Sequence, residues 1–183
     1  MVIQSQNASD HGRSTKFLDR TRMNNALEQA MDFGATYAEI RLMAETTSSV
    51  RLKDGQLEHA IPGQEIGATL RILADGAWGV HSTTDISSIP NEIESTVKLA
   101  RAVAARRPSG SKPIQLAEIP VLQDEIHWRP KKDVRNTDLQ TKLDMLQAIH
   151  SSANDDDRII SVACGWSDEH LHTELLTTEG MDR

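Results

Sequence analysis

The side chains in this sequence that can do chemistry are few and dispersed. His170 and His172 lie two apart in an alternating run, so on a strand both rings project from one face, a geometry that suits zinc. No third ligand stands beside them. Cys164 falls on the other limb of the hairpin that the pattern predicts, and Glu174 alone does not complete a site, so the pair is a weak metal candidate. Asp155-Asp156-Asp157 lacks the glycine and spaced oxygen ligands of a calcium loop and reads as a solvated turn. Cys164, sharing a face with Val162 and Trp166, reads as a small buried apolar residue and not as a nucleophile.

Glu39 and Arg41 sit two apart on one strand face, and Arg71 falls on a neighbouring strand. The plain expectation is a cross-strand ion pair, worth under about 1 kcal/mol if exposed. The functional alternative has Arg71 holding a peptide carboxylate. Trp78, beside a tight turn, either packs over the sheet edge or lines a peptide groove. Arg71 and Trp78 are thus the peptide-groove candidates. Gly67, Gly76 and Gly79 serve turns and close backbone approach, because the glycine-rich stretch leads into no helix of the nucleotide-binding kind. His59 and His81 lie near strand ends and are expected to face solvent. No stretch holds a complete catalytic set.

The elements that must position these residues are legible from periodicity. Met23, Leu27, Ala30 and Met31 recur at helical spacing from about Thr21, and Gly34 follows as a helix-ending residue. Alternation then takes over in runs 37–44, 46–53, 56–61, 67–73 and 78–83. Asp54-Gly55 and Asp75-Gly76 predict two-residue hairpin turns, and Pro62-Gly63 is expected to stop a strand. Ser87 or Ser88 is expected to cap a helix with Pro90 in its first turn, carrying the stripe Ile89, Ile93, Val97, Ala100 and Ala104. After a proline-rich connection, Thr137 with Gln140 predicts a capping box for a helix buried along Leu139, Leu143, Leu146 and Ile149. A strand over 158–169 then turns at Asp168-Glu169 into an antiparallel partner over 171–177.

The fold class is therefore α+β: a curled, mostly antiparallel sheet covered by helices, followed by a helix plus strand-pair unit. The expected divisions are a flexible leader (1–20), a first α+β domain (21–107), a connection (108–136) and the start of a second unit (137–183), whose abrupt end suggests a fragment. With 183 residues, 38% hydrophobic and 26% charged, the chain can bury a real core built mainly from aliphatic residues. A formal charge of −7 argues against nucleic acid as the main ligand. One cysteine suits a reducing cytoplasm, and no apolar run approaches the roughly 20 residues of a membrane helix.

Three segments carry a resemblance. Gly34-Ala35-Thr36-Tyr37-Ala38-Glu39-Ile40-Arg41, Gly67-Ala68-Thr69-Leu70-Arg71-Ile72 and Asp75-Gly76-Ala77-Trp78-Gly79-Val80 resemble, in that order, the opening of the TldD/PmbA family. Thr177-Thr178-Glu179-Gly180 is more loosely similar to an "N-S-E-G"-like turn of the middle region, with threonines replacing Asn-Ser. The resemblance implies a cytoplasmic metallopeptidase, or its non-catalytic homologue, working as a homo- or heterodimer on short or unfolded peptides. It places the catalytic zinc in a C-terminal domain, on an H-E-x-x-x-H helix and a distant cysteine, where the Glu acts as base on metal-bound water. That motif is absent here: His150 precedes Ser151 and His170 precedes Leu171. No catalytic residue or cofactor is therefore carried over to this chain. It is expected to be inactive alone and to supply cavity wall and subunit interface, the alternative being a non-catalytic partner subunit or peptide-binding module. Direct DNA action, through the family's link to gyrase control, is disfavoured by the acidic charge.

Overall fold

The structure is a computed structural model and describes residues 19–128 and 130–180; most of the expected leader and the last three residues lie outside the described residues. Helix α1 (Arg20–Asp32) leads into strands β1 (Tyr37–Lys53), β2 (Gln56–Ala74) and β3 (Ala77–Thr83). Helices α2 (Ile93–Ala105) and α3 (Leu139–Asn154) and strand β4 (Ala163–Thr177) complete the order. The strands form one antiparallel sheet in the order β3-β2-β1-β4.

Both Asp-Gly turns form as expected. Asp54 and Gly55 have φ of 49° and 76°, and Asp75 and Gly76 have 51° and 71°, the paired positive values that this turn requires. Between them the strands run longer than the alternation suggested. Runs 37–44 and 46–53 are one strand, and β2 continues through Pro62-Gly63, which was expected to stop it. Pro62 lies opposite Ser48 on β1, while β3 pairs only with 68–74, so the other edge of β2 is open there. An open edge tolerates a missing N–H.

The helices cover one face only. Ile40, Leu42, Leu70 and Ile72 from the sheet meet Leu27 and Ala30 of α1 and Ile93, Val97 and Ala100 of α2, all buried. Gly79 permits this contact, because a Cβ there would collide with the α2 backbone at Thr96. The cap before α2 differs from expectation. Asp85, and neither Ser87 nor Ser88, accepts from Ser87 N–H at 3.1 Å and opens a 3₁₀ segment over Ile86–Glu92 that holds Pro90.

The largest departure lies after residue 136. Asp138, not Thr137, caps α3 by accepting from Thr141 N–H at 2.7 Å. Of the expected stripe only Leu146 is fully buried, while Leu139 and Ile149 are exposed. The strand pair does not form. β4 is a single strand that passes through Asp168-Glu169 while paired to β1 along 39–53. Asp168 explains why: its carboxylate accepts from Lys142 Nζ (2.7 Å), from Ser48 Oγ (2.8 Å) and from the Trp166 indole, and so is pinned to the covered face. Lys142 is only 6% exposed, and its Nζ lies 5.8 Å from the ring centre of Trp166, which packs against the small cluster of Val50, Leu52 and Leu146 that seats α3 on the same sheet.

Burial alone would raise the Asp168 carboxyl, but the hydrogen bonds from Lys142, Trp166 and Ser48 outweigh it and hold the group below its ordinary 3.8. The folded value is depressed, so the unfolded chain binds the proton more readily. The stabilisation is present above 3.8 and is lost as pH falls through the folded value. Lys142→Met should cost about 1–3 kcal/mol at neutral pH by leaving a partly buried carboxylate short of its cation. Asp168→Asn should flatten the loss of stability below pH 3.8 relative to wild type, both measured by urea unfolding across pH.

Candidate functional site

The face of the sheet turned away from the helices carries the residues singled out for chemistry. Directly paired residues share a face, so three rows run across β1, β2 and β3: Tyr37–Leu73–Trp78, Glu39–Arg71–Val80 and Arg41–Thr69–Ser82. The middle row depends on a bulge. Near the first hairpin turn Lys53 faces Gln56, a register that would set Glu39 against Leu70; the shift between Arg51 and Leu52 moves the pairing by one and brings Arg71 opposite Glu39.

Four side chains then lock together. Arg71 donates through Nη1 to Glu39 Oε1 at 2.8 Å, and the Tyr37 hydroxyl donates to Glu39 Oε2 at 2.7 Å. The Arg71 guanidinium lies 4.3 Å from the Trp78 ring centre, and Trp78 meets Tyr37 edge-on at 5.9 Å between centroids. Glu39 is 6% exposed, so its charge is balanced within the cluster and not by water. Burial, followed by the Glu39 hydrogen bond and its negative charge, pushes the Tyr37 phenol well above its ordinary 10.0.

Of the expected candidates, Arg71 and Trp78 are thus brought into direct contact, and the expected Glu39–Arg71 ion pair forms. Arg71 keeps 40% of its side chain exposed. Tyr37, which sequence reasoning left in the strand pattern, proves to be the fourth member; its position two before Glu39 on the same face was the available signal. His59 and His81 do not face solvent fully: His59 Nε2 lies 3.1 Å from Ser49 Oγ, and His81 lies 3.9 Å from Glu92.

Among the described residues, no third metal-ligating side chain joins His170 and His172. His170 and His172 share the covered face of β4, but His172 Nε2 is engaged with Glu174 Oε1 at 3.2 Å. Cys164 sits on the same strand, not on a second limb, six residues or about 20 Å from His170. Among the described residues no three His, Cys, Asp or Glu side chains converge on one point.

Residues 38–104, which hold Glu39, Arg71 and Trp78, match the family model described as PmbA/TldA metallopeptidase domain 1. Over residues 38–104 the chain is a member of the TldD/PmbA family. A metalloprotease of Methanothermobacter thermautotrophicus is 26% identical over 144 residues, 79% of this chain and 30% of the relative. One from Methanocaldococcus jannaschii is 24% identical over 155 residues, 84% of this chain and 34% of the relative. The chain therefore spans about a third of the length of these two metalloproteases. Solved structures share the fold. A protein of Bacteroides thetaiotaomicron described as a modulator of DNA gyrase superposes with a TM-score of 0.65 at 20% identity, over 90% of this chain and 37% of that one. TldE from Thermococcus kodakarensis gives 0.60 at 16% identity, over 88% and 36%.

Tyr37 is the sole tyrosine, so phenolate absorbance reports on this cluster directly. Its raised value gives a stabilisation that is fully present below 10.0 and lost as pH rises through the folded value. Spectrophotometric titration should show Tyr37 still neutral above 10.0 while the chain stays folded, and Glu39→Gln should bring the midpoint down towards that value.

Proposed function

We propose that this chain is the N-terminal part of a TldD/PmbA-like zinc metallopeptidase, in which it forms a wall of the peptide-handling cavity and part of a subunit interface. The observation that carries the reading is the match of residues 38–104 to the first domain of a metallopeptidase family. In this reading zinc and the bond-breaking groups belong to a C-terminal domain of the H-E-x-x-x-H kind, and this chain contributes none of them. The substrate is a short or unfolded peptide, the setting is the cytoplasm, and the assembly is a homo- or heterodimer of family members.

Two features of the surface support a wall and an interface. The sheet face bearing Arg71 and Trp78 has no helix packed on it, and β2 has an open edge before Ala68, where an extended peptide can add as a strand. Residues 114–128 are exposed throughout and include Ile119 at 57%, Ile126 at 63% and Trp128 at 91%. An isolated chain gains nothing from so much apolar surface in water, and a covering partner does. No helix among the described residues is long and apolar enough to cross a membrane.

The test is a chimera in which residues 19–180 replace the matching part of the Methanothermobacter thermautotrophicus metalloprotease. The chimera should bind zinc and cut an unstructured fluorogenic peptide, while the 183-residue chain alone should not. Arg71→Ala with Trp78→Ala in the chimera should raise KM about tenfold, roughly 1.4 kcal/mol, at unchanged zinc content. Chelator-sensitive cleavage by the chain alone, or unchanged KM in the double variant, would overturn the reading.

A further inference from the structure

We propose that Arg41 anchors the free carboxylate of a short, extended peptide in an open groove on the uncovered face of the sheet. The choice of a peptide rests on the function proposed above; the carboxylate anchor rests on the geometry that follows. The groove holds about 600 Å³ and is lined by Arg41, Met43, Gly67, Thr69, Ser82 and Thr84, among others. It lies one row along from the Tyr37–Glu39–Arg71–Trp78 cluster, on the row Arg41–Thr69–Ser82.

Charge selects the ligand. Glu39, the carboxylate nearest Arg41 along its own strand face, already gives Oε1 to Arg71 and Oε2 to Tyr37. Arg71 is therefore balanced, whereas Arg41 is exposed and makes no ion pair among the described residues. A guanidinium offers a planar fork of donors that matches a carboxylate in two parallel hydrogen bonds. A chain carrying −7 overall that keeps Arg41 unbalanced over this groove presents a local site for an anion.

The floor and walls narrow the class further. Thr69 Oγ1 and Ser82 Oγ, both lining the groove, share a hydrogen bond at 3.2 Å, which leaves one of the two hydroxyls free to donate to a carboxylate oxygen. Met43, 46% exposed, provides an apolar flank for the side chain of a terminal residue. β3 ends at Thr83 opposite Ala68, so β2 presents an open backbone edge from Gly67 backwards. Only a peptide running parallel to β2 puts its C-terminus at Gly67, beside the groove. An antiparallel strand would carry its carboxylate away towards Leu57.

Fluorescence anisotropy on the 183-residue chain tests this with N-terminally labelled tetra-alanine as the free acid, as the C-terminal amide, and as an amide carrying one internal Glu. The acid should bind at least tenfold more tightly than either amide. Arg41→Gln should abolish that preference without changing the unfolding midpoint, since Arg41 is exposed. Gly67→Val, whose Cβ meets only Thr83 O at an ordinary 3.4 Å, should block the groove with Arg41 still in place. Equal binding of acid and simple amide, binding of the Glu amide as tight as the acid, no binding of any probe, or a preference that survives Arg41→Gln would each overturn the assignment. An active chimera alongside such a result would leave the wall role standing while removing the anchor.

Discussion

Every other feature of the molecule depends on β1 being paired along both edges. Its residues 37–53 bond to β2 on one side, and its residues 39–53 bond to β4 on the other. A strand held this way must place alternate side chains on two faces for its whole length. Ile40 and Leu42 at one end, and Val50 and Leu52 at the other, are all buried on the same face. Each fully buried aliphatic side chain contributes about 1.5–3 kcal/mol. The two clusters they found, one beneath α1 and α2 and one beneath α3, are therefore stations along a single strand. All three helices are drawn to one side, and the opposite face has no helix packed on it.

That opposite face shows how the sheet compensates a buried carboxylate. Glu39 is buried and would be costly without compensation, and Arg71 and Tyr37 supply it at 2.8 and 2.7 Å. Trp78 stacks on the far side of Arg71 and meets Tyr37, so the cluster is braced from three directions. The motif Asp75-Gly76-Ala77-Trp78-Gly79 gains a physical account from this. Asp75-Gly76 makes the turn, Trp78 faces the cluster, and Gly79 lets α2 approach from the other side. The same glycine-bearing strand thus serves both faces.

Much of this was legible in the sequence, and the illegible parts share a cause. The hairpin turns were readable because Asp-Gly encodes a local backbone conformation. The alternation of Ala38, Ile40 and Leu42 marked the covered face before any partner was known. Pro62-Gly63 misled because a strand's tolerance for proline depends on whether a neighbour occupies that edge, and β3 is too short to reach it. Asp168-Glu169 misled because what holds β4 straight is Lys142 and Ser48, 26 and 120 residues away in sequence. The α3 stripe failed for the same reason: Lys142 is buried by its ion pair, while Leu139 and Ile149 face outward. At the site, Arg71 and Trp78 lie in contact, but the bulge that sets Arg71 against Glu39 carries no sequence mark beyond the face pattern it preserves.

The central claim is that residues 163–177 belong to the same cooperative sheet as residues 37–74. Native-state hydrogen exchange tests it most directly, because amides in one cooperative unit open together with one free energy. The account predicts that amides of Leu42 and Leu52 on β1, Leu70 on β2 and Leu176 on β4 exchange with the same global free energy and respond alike to denaturant. Fast exchange across β4 while β1 and β2 remain protected would contradict it.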